Sequence, residues 1–166
     1  MSGGFVRRLL LATALASGWG GAPLPAVAQA PVYTVWIGGL TLSCNDYFGN
    51  PVRIMSDRSL PNVGIATQGW YGEPLIVLNP DVLAQFSPTV QVWWFAHECA
   101  HKALGPANNE TNADCFGIRR MRQYGMITSY QQLATFSEEL RDLAGSPMGH
   151  LPGPIRAANI INCALY

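Results

Sequence analysis

Apolar and polar positions along the chain fall into two regimes. Between residues 29 and 78, short apolar runs are broken every few positions by turn-forming residues, which is the pattern of strands. Residues 29–37 read as a leader running into a strand, closed by Gly38-Gly39. Leu40 to Cys44 and Val52 to Met55 predict two more strands, with Asn45-Asp46 and Gly49-Asn50-Pro51 as turns. Ile65 to Gln68 and Pro74 to Leu78 predict a hairpin whose tip is Gly69 to Gly72. After Asn79-Pro80 the period changes to that of helices. Asp81 to Phe86 forms one or two turns. A longer helix from Thr89 to Leu104 opens at Ser87-Pro88, a capping hydroxyl followed by proline at the first helical position, and stops at Gly105-Pro106. Further helices are predicted over Glu110 to Tyr124, Tyr130 to Leu143 (capped by Thr128-Ser129) and Ile155 to Leu165, with loop between Gly145 and Pro154. The fold class is therefore α+β, a small antiparallel sheet followed by a helical half.

The first residues stand outside this scheme. Arg7-Arg8, the apolar run Leu9 to Trp19 and the small-residue site Ala26-Val27-Ala28 predict a secretory signal peptide over residues 1–28. The apolar run is too short to cross a bilayer, and no other uncharged run is long enough. Residues 29–166 are then a single exported domain, periplasmic or extracellular. Of the 10 basic residues, Arg7 and Arg8 leave with the leader, so 8 face 10 acids. No basic stripe marks a nucleic-acid partner. With 49% hydrophobic and 12% charged residues, a domain of this length can build a sizeable core. Cys44, Cys99, Cys115 and Cys163 all fall after the leader. An even number in an exported chain predicts two disulfides, with three pairings open.

The long helix carries the chemistry. Val90, Val92, Trp93, Trp94 and Phe95 make it apolar on nearly every side, as in a helix buried at a domain centre. Yet it also carries His97-Glu98-Cys99-Ala100-His101. Burying such groups unpaired would cost roughly 2–7 kcal/mol each. Residues four apart share a helix face, so His97 and His101 can direct two ring nitrogens at one metal ion, with Glu98 beside them to act on a water. A hydrolytic zinc site wants a third protein ligand and an open position. A third histidine six residues after His101 is absent, that position being Ala107. Glu110 is the nearest carboxylate, at the start of the next helix. Asp114, one turn further on, is placed to accept a ring N–H from one of the histidines.

The pair H-E-x-x-H and N-E-x-x-A-D, here His97 to His101 and Asn109 to Asp114, resembles the signature of gluzincin metallopeptidases. The short spacer and the continuation Ala113-Asp114-Cys115-Phe116-Gly117 are more similar to bacterial proteins described as neutral zinc metallopeptidases, and to the membrane peptidases that process prenylated proteins. The specific likeness covers about residues 93–125. It implies a zincin-type helix pair, with Zn2+ held by His97, His101 and Glu110, Glu98 as general base and Asp114 behind the ligands. His150-Leu151-Pro152 with Arg156 is similar to a histidine–proline–arginine segment of such families, with Leu151 inserted here; the likeness makes His150 a catalytic group that steadies the transition state.

The implied reaction is hydrolysis of a peptide or protein substrate, with His150 or a tyrosine such as Tyr71 at the developing oxyanion. The strand Leu75 to Leu78, directly before the metal helix, is the candidate edge for an extended substrate, with a plain central core strand as the equal alternative. Two other classes fit the same chain: a catalytically silent zinc-binding domain of the cell envelope, and a disulfide-stapled interaction domain without metal.

Overall fold

The computed structural model describes residues 33–146 and 149–164; the predicted signal peptide and leader lie outside the described residues. The architecture is α+β. β1 (Thr34–Ile37) and β2 (Leu40–Ser43) form an antiparallel hairpin. A second sheet contains β3 (Arg53–Ser56), β4 (Gly64–Gln68) and β5 (Pro74–Leu78) in the order β3-β5-β4. The predicted hairpin is present as the antiparallel β4–β5 pair, while β3 joins the other side of β5 in parallel.

The placement of β5 corrects one expectation. Leu75 to Leu78 was the expected edge for a substrate, but β5 is paired on both sides, and the edge next to the helical half is β4. The reason lies in pairing: β3 joins β5 in parallel on the side away from β4, and the continuously apolar Leu75-Ile76-Val77-Leu78 is compatible with that central place. Gly64-Ile65-Ala66-Thr67-Gln68 is only partly buried, as an edge tolerates.

The helical half follows the predicted stops and starts closely. Asn79 caps α1 (Pro80–Leu83). Ser87 caps α2 (Pro88–Ala103), its hydroxyl accepting the Val90 N–H. A single 3-10 turn over Gly105–Ala107 leads to α3 (Glu110–Gln123), whose cap Asn109 accepts the Asn112 N–H. A reciprocal Ser129–Gln132 capping box opens α4 (Tyr130–Arg141), and α5 (Gly153–Ala164) closes the fold.

α2 is the axis of the molecule. Residues Val92 to Ala100 are all buried on it, between the sheet on one side and α3 and α4 on the other. Trp93, Phe95, Ile118, Met121, Phe136, Leu140 and Ile160 fill the centre. α3 approaches α2 so closely that a Cβ on Gly117 would lie 2.6 Å from Trp93 Nε1, so only glycine fits there. Two disulfides tie this frame: Cys44–Cys99 joins the end of the first hairpin to α2, and Cys115–Cys163 joins α3 to α5. They span 55 and 48 residues of chain, long loops whose closure restricts the unfolded ensemble.

Removing the first disulfide by Cys44→Ser with Cys99→Ser should lower unfolding free energy by about 2–4 kcal/mol. Denaturant titration of the non-reduced proteins checks this, and peptide mapping without reductant should recover the two crosslinks as paired above.

Candidate metal centre

Three elements build the site. α2 places His97 and His101 one turn apart on one face. The 3-10 turn then reverses the chain, so that Glu110, the first residue of α3, arrives beside both imidazoles. At a helix start its carboxylate also sits where the α3 dipole favours negative charge. His97 Nε2 and His101 Nε2 are 3.1 Å apart; Glu110 Oε2 lies 3.4 Å from the former and Glu110 Oε1 3.3 Å from the latter. Donor atoms bound to one tetrahedral zinc at ~2.0–2.1 Å are about 3.3 Å from one another. The three side chains already stand at that spacing.

The outer nitrogens determine what the inner ones can offer. His101 Nδ1 lies 2.8 Å from the side-chain carbonyl of Asn108, an acceptor, so Nδ1 carries the proton and Nε2 presents a lone pair. His97 Nδ1 lies 2.9 Å from Asp114 Oδ1, off the line of a straight hydrogen bond, and has no other partner. A carboxylate that close again assigns the proton to Nδ1. Two lone pairs and a carboxylate therefore converge with no hydrogen between them. A cation among them relieves that repulsion.

Charge points the same way. Glu98 and Asp114 are buried and Glu110 is half-buried. The one guanidinium among them is Arg156, fully buried on α5. It donates from Nη1 to Asp114 Oδ1 at 3.0 Å, from Nη2 to Glu110 Oε2 at 3.3 Å, and from Nε to the Leu151 carbonyl at 2.9 Å. Its plane lies over the Trp94 and Trp93 rings at 4.7 and 5.1 Å. Three carboxylates against one guanidinium leave a formal charge of −2 around the two imidazoles, before Lys102, which also lines the cavity, is counted. A cation held among the carboxylates reduces it.

Glu98 and His150 form the other wall. Glu98 is buried, and its Oε1 has no hydrogen-bond partner although His150 Nε2 stands 3.4 Å away. His150 Nδ1 faces the amide nitrogen of Asn62 at 3.0 Å, and the Asn62 carbonyl is held by the Val63 N–H at 2.8 Å. Nδ1 is thus an acceptor and Nε2 carries the hydrogen. Among the described residues, two groups of side chains could hold a metal ion by proximity, His97-His101-Glu110 and His97-Glu98-His150. Only the first offers free lone pairs on both imidazoles; His150 presents an N–H. The cavity between these walls encloses about 310 Å³ and is bordered by Gly64, Ile65 and Ala66 of β4.

All six residues named from sequence (His97, Glu98, His101, Glu110, Asp114, His150) meet here. Tyr71 does not: it stands 93% exposed at the β4–β5 tip, away from the residues lining this cavity. Asn108 and Asn62, which orient His101 and His150, were not legible. Both are loop asparagines, and the only hint for Asn108 was its place in the short link between the two site helices.

No protein-family model, curated protein or solved structure matches this chain.

Burial alone would lower the His101 pKa, but once a proton sits on Nε2 the ring donates to Glu110 as well as to Asn108, and with the charge of Glu98 this carries the pKa above its ordinary 6.5. Burial would raise Glu110; the two imidazoles hold it far below its ordinary 4.5 instead. A metal must displace the proton from His101, so affinity should fall as pH drops through a value above 6.5 and level off at higher pH. Chelator competition across pH checks the sign. Arg156→Met should cost about 3–5 kcal/mol in denaturant titrations, because it leaves Asp114 buried and unpaired.

Proposed function

We propose that this protein is an exported zinc metallopeptidase of gluzincin type. The observation that carries the reading is the convergence of His97, His101 and Glu110 at tetrahedral spacing beside a buried carboxylate, Glu98, with an unpartnered oxygen. A nitrogen–nitrogen–oxygen donor set with one open position suits zinc among the common ions. When bound, zinc acts as a Lewis acid and brings the pKa of a water to roughly 7.

The side chains divide the remaining work. His97, His101 and Glu110 bind the ion, with Asp114 and Asn108 fixing the imidazole tautomers. Glu98 accepts the proton of the attacking water at Oε1 and later passes it to the leaving amine. His150, fixed by Asn62 with its Nε2–H directed into the cavity, donates to the oxyanion that develops on the scissile carbonyl. Trp93 and Trp94, packed on His97, keep bulk water from the back of the site. The free side of β4 offers backbone N–H and C=O groups to an extended polypeptide, in the manner of strand addition. Two disulfides, and no helix among the described residues long and apolar enough to cross a membrane, are compatible with export.

Glu98→Gln should retain about one equivalent of zinc, by elemental analysis, while peptide hydrolysis falls by roughly 10²–10⁴-fold. His150→Ala should retain zinc too and lower kcat by roughly 10²–10³-fold. Undiminished turnover by the Glu98→Gln enzyme would dismiss Glu98 as the base, and no peptide hydrolysis by the zinc-loaded wild type would dismiss the peptidase reading.

A further inference from the structure

Four of the exposed aromatic residues lie on two turns next to the candidate metal centre. Tyr47 and Phe48, 57% and 83% exposed, stack edge to face in the loop after β2; Trp70 and Tyr71, each 93% exposed, occupy the β4–β5 tip. Water-exposed aromatic surface of this extent contributes nothing to the core, and such patches mark binding surfaces. Both turns are rigidly built. The Asp46 carboxylate accepts the N–H groups of Phe48 and Asn50 at 2.9 and 2.8 Å. The Tyr47 N–H donates to the Lys102 carbonyl at 2.9 Å, its ring lies on Gly105, and Cys44–Cys99 ties the same loop to α2. Across from it, the Glu73 carboxylate accepts the Tyr71 N–H and the Arg53 guanidinium, fixing the hairpin tip. Rigid display of Tyr and Trp offers contact area at low entropic cost.

A groove of about 550 Å³ runs between these turns, bordered by Tyr47 and Phe48 on one side and Gln68, Gly72 and Pro74 on the other. It shares His101 and Lys102 with the metal cavity. β4 spans both spaces: Gly64 to Ala66 border the metal cavity and Gln68 borders the groove. An unpaired strand edge running from one to the other matches an extended polypeptide, and neither a sugar nor a lipid uses such a ladder. The charged side chains of the groove lining are Asp46, whose carboxylate the loop's own N–H groups occupy, and those of the shared His101–Lys102 junction.

Resting on the peptidase reading above, we infer that this groove is a remote specificity site for polypeptides carrying an aromatic or bulky aliphatic side chain two to four residues from the cleaved bond. Gln68 lies two positions along the strand from Ala66 and four from Gly64, and a paired substrate advances at the same ~3.3 Å per residue. Selectivity is thus set away from the residues flanking the cleaved bond.

Cleavage of a randomised peptide library by the zinc-loaded enzyme, mapped by mass spectrometry, should show this enrichment two to four positions from the cleaved bond. A filled apolar contact discriminates by roughly 10–200-fold in kcat/KM, and Phe48→Ser should flatten the preference toward unity while leaving zinc content and the cleavage of peptides too short to reach the groove unchanged. In parallel, calorimetry with the zinc-loaded Glu98→Gln protein should record tighter binding of a phenylalanine-bearing peptide than of its serine analogue. Cleavage without remote preference overturns the inference and leaves the peptidase reading intact. Preferential binding without any cleavage by the wild type supports the groove and overturns the peptidase reading. Equal binding of both peptides, or Phe48-dependent sedimentation with phosphatidylglycerol vesicles in place of peptide preference, overturns the groove.

Discussion

The constraint on which the site depends is the burial of carboxylates around a single guanidinium. Glu98, Glu110 and Asp114 stand around one centre, two of them buried, and Arg156 is the guanidinium buried among them, with Lys102 lining the open cavity. Removing charges from water is costly unless each finds a partner. Arg156 meets this need with five planar donors, reaching a carboxylate on either side while its faces rest on two indoles. It thereby fixes Glu110 toward the histidines and Asp114 toward the back of His97. The negative charge that remains suits a site that could hold a cation.

That arrangement explains why α2 tolerates three ionisable groups in its most apolar stretch. Each is assigned a hydrogen-bonding role by something outside the helix: Asp114 for His97, Asn108 for His101, and the His150–Asn62 pair facing Glu98. The tautomers are set by neighbours on the far side of each ring from the point where a metal ion could sit. Such outer partners orient ligands and hold the geometry before an ion arrives.

The parts legible in the sequence are those written locally. Ser87-Pro88 and Gly105-Pro106 bracket α2, and the four-residue spacing of His97 and His101 fixes a shared face whatever the tertiary fold. Glu110 was legible because only a short link separates it from α2. What the sequence left open depends on contacts between distant segments. Of three cysteine pairings, the docking of α5 on α3 and of the first hairpin on α2 selects Cys44–Cys99 and Cys115–Cys163. The apolar run Leu75 to Leu78 suits an edge or a centre by composition, and β3 decides by pairing beside it. Asn62 lies 88 residues from His150 and Arg156 lies 46 from Glu110; no spacing rule links such positions.

Arg156 enters from the last helix, and this orders events in time. A nascent chain emerging from its N-terminus presents the histidines and Glu110 well before the guanidinium exists in the same space. Until α5 docks, Glu110 and Asp114 lack the guanidinium that pairs with them and remain hydrated. Closure of the site therefore waits on α5, and a chain interrupted shortly before residue 156 would carry the histidines and both acids yet lack the cation that holds those acids in place.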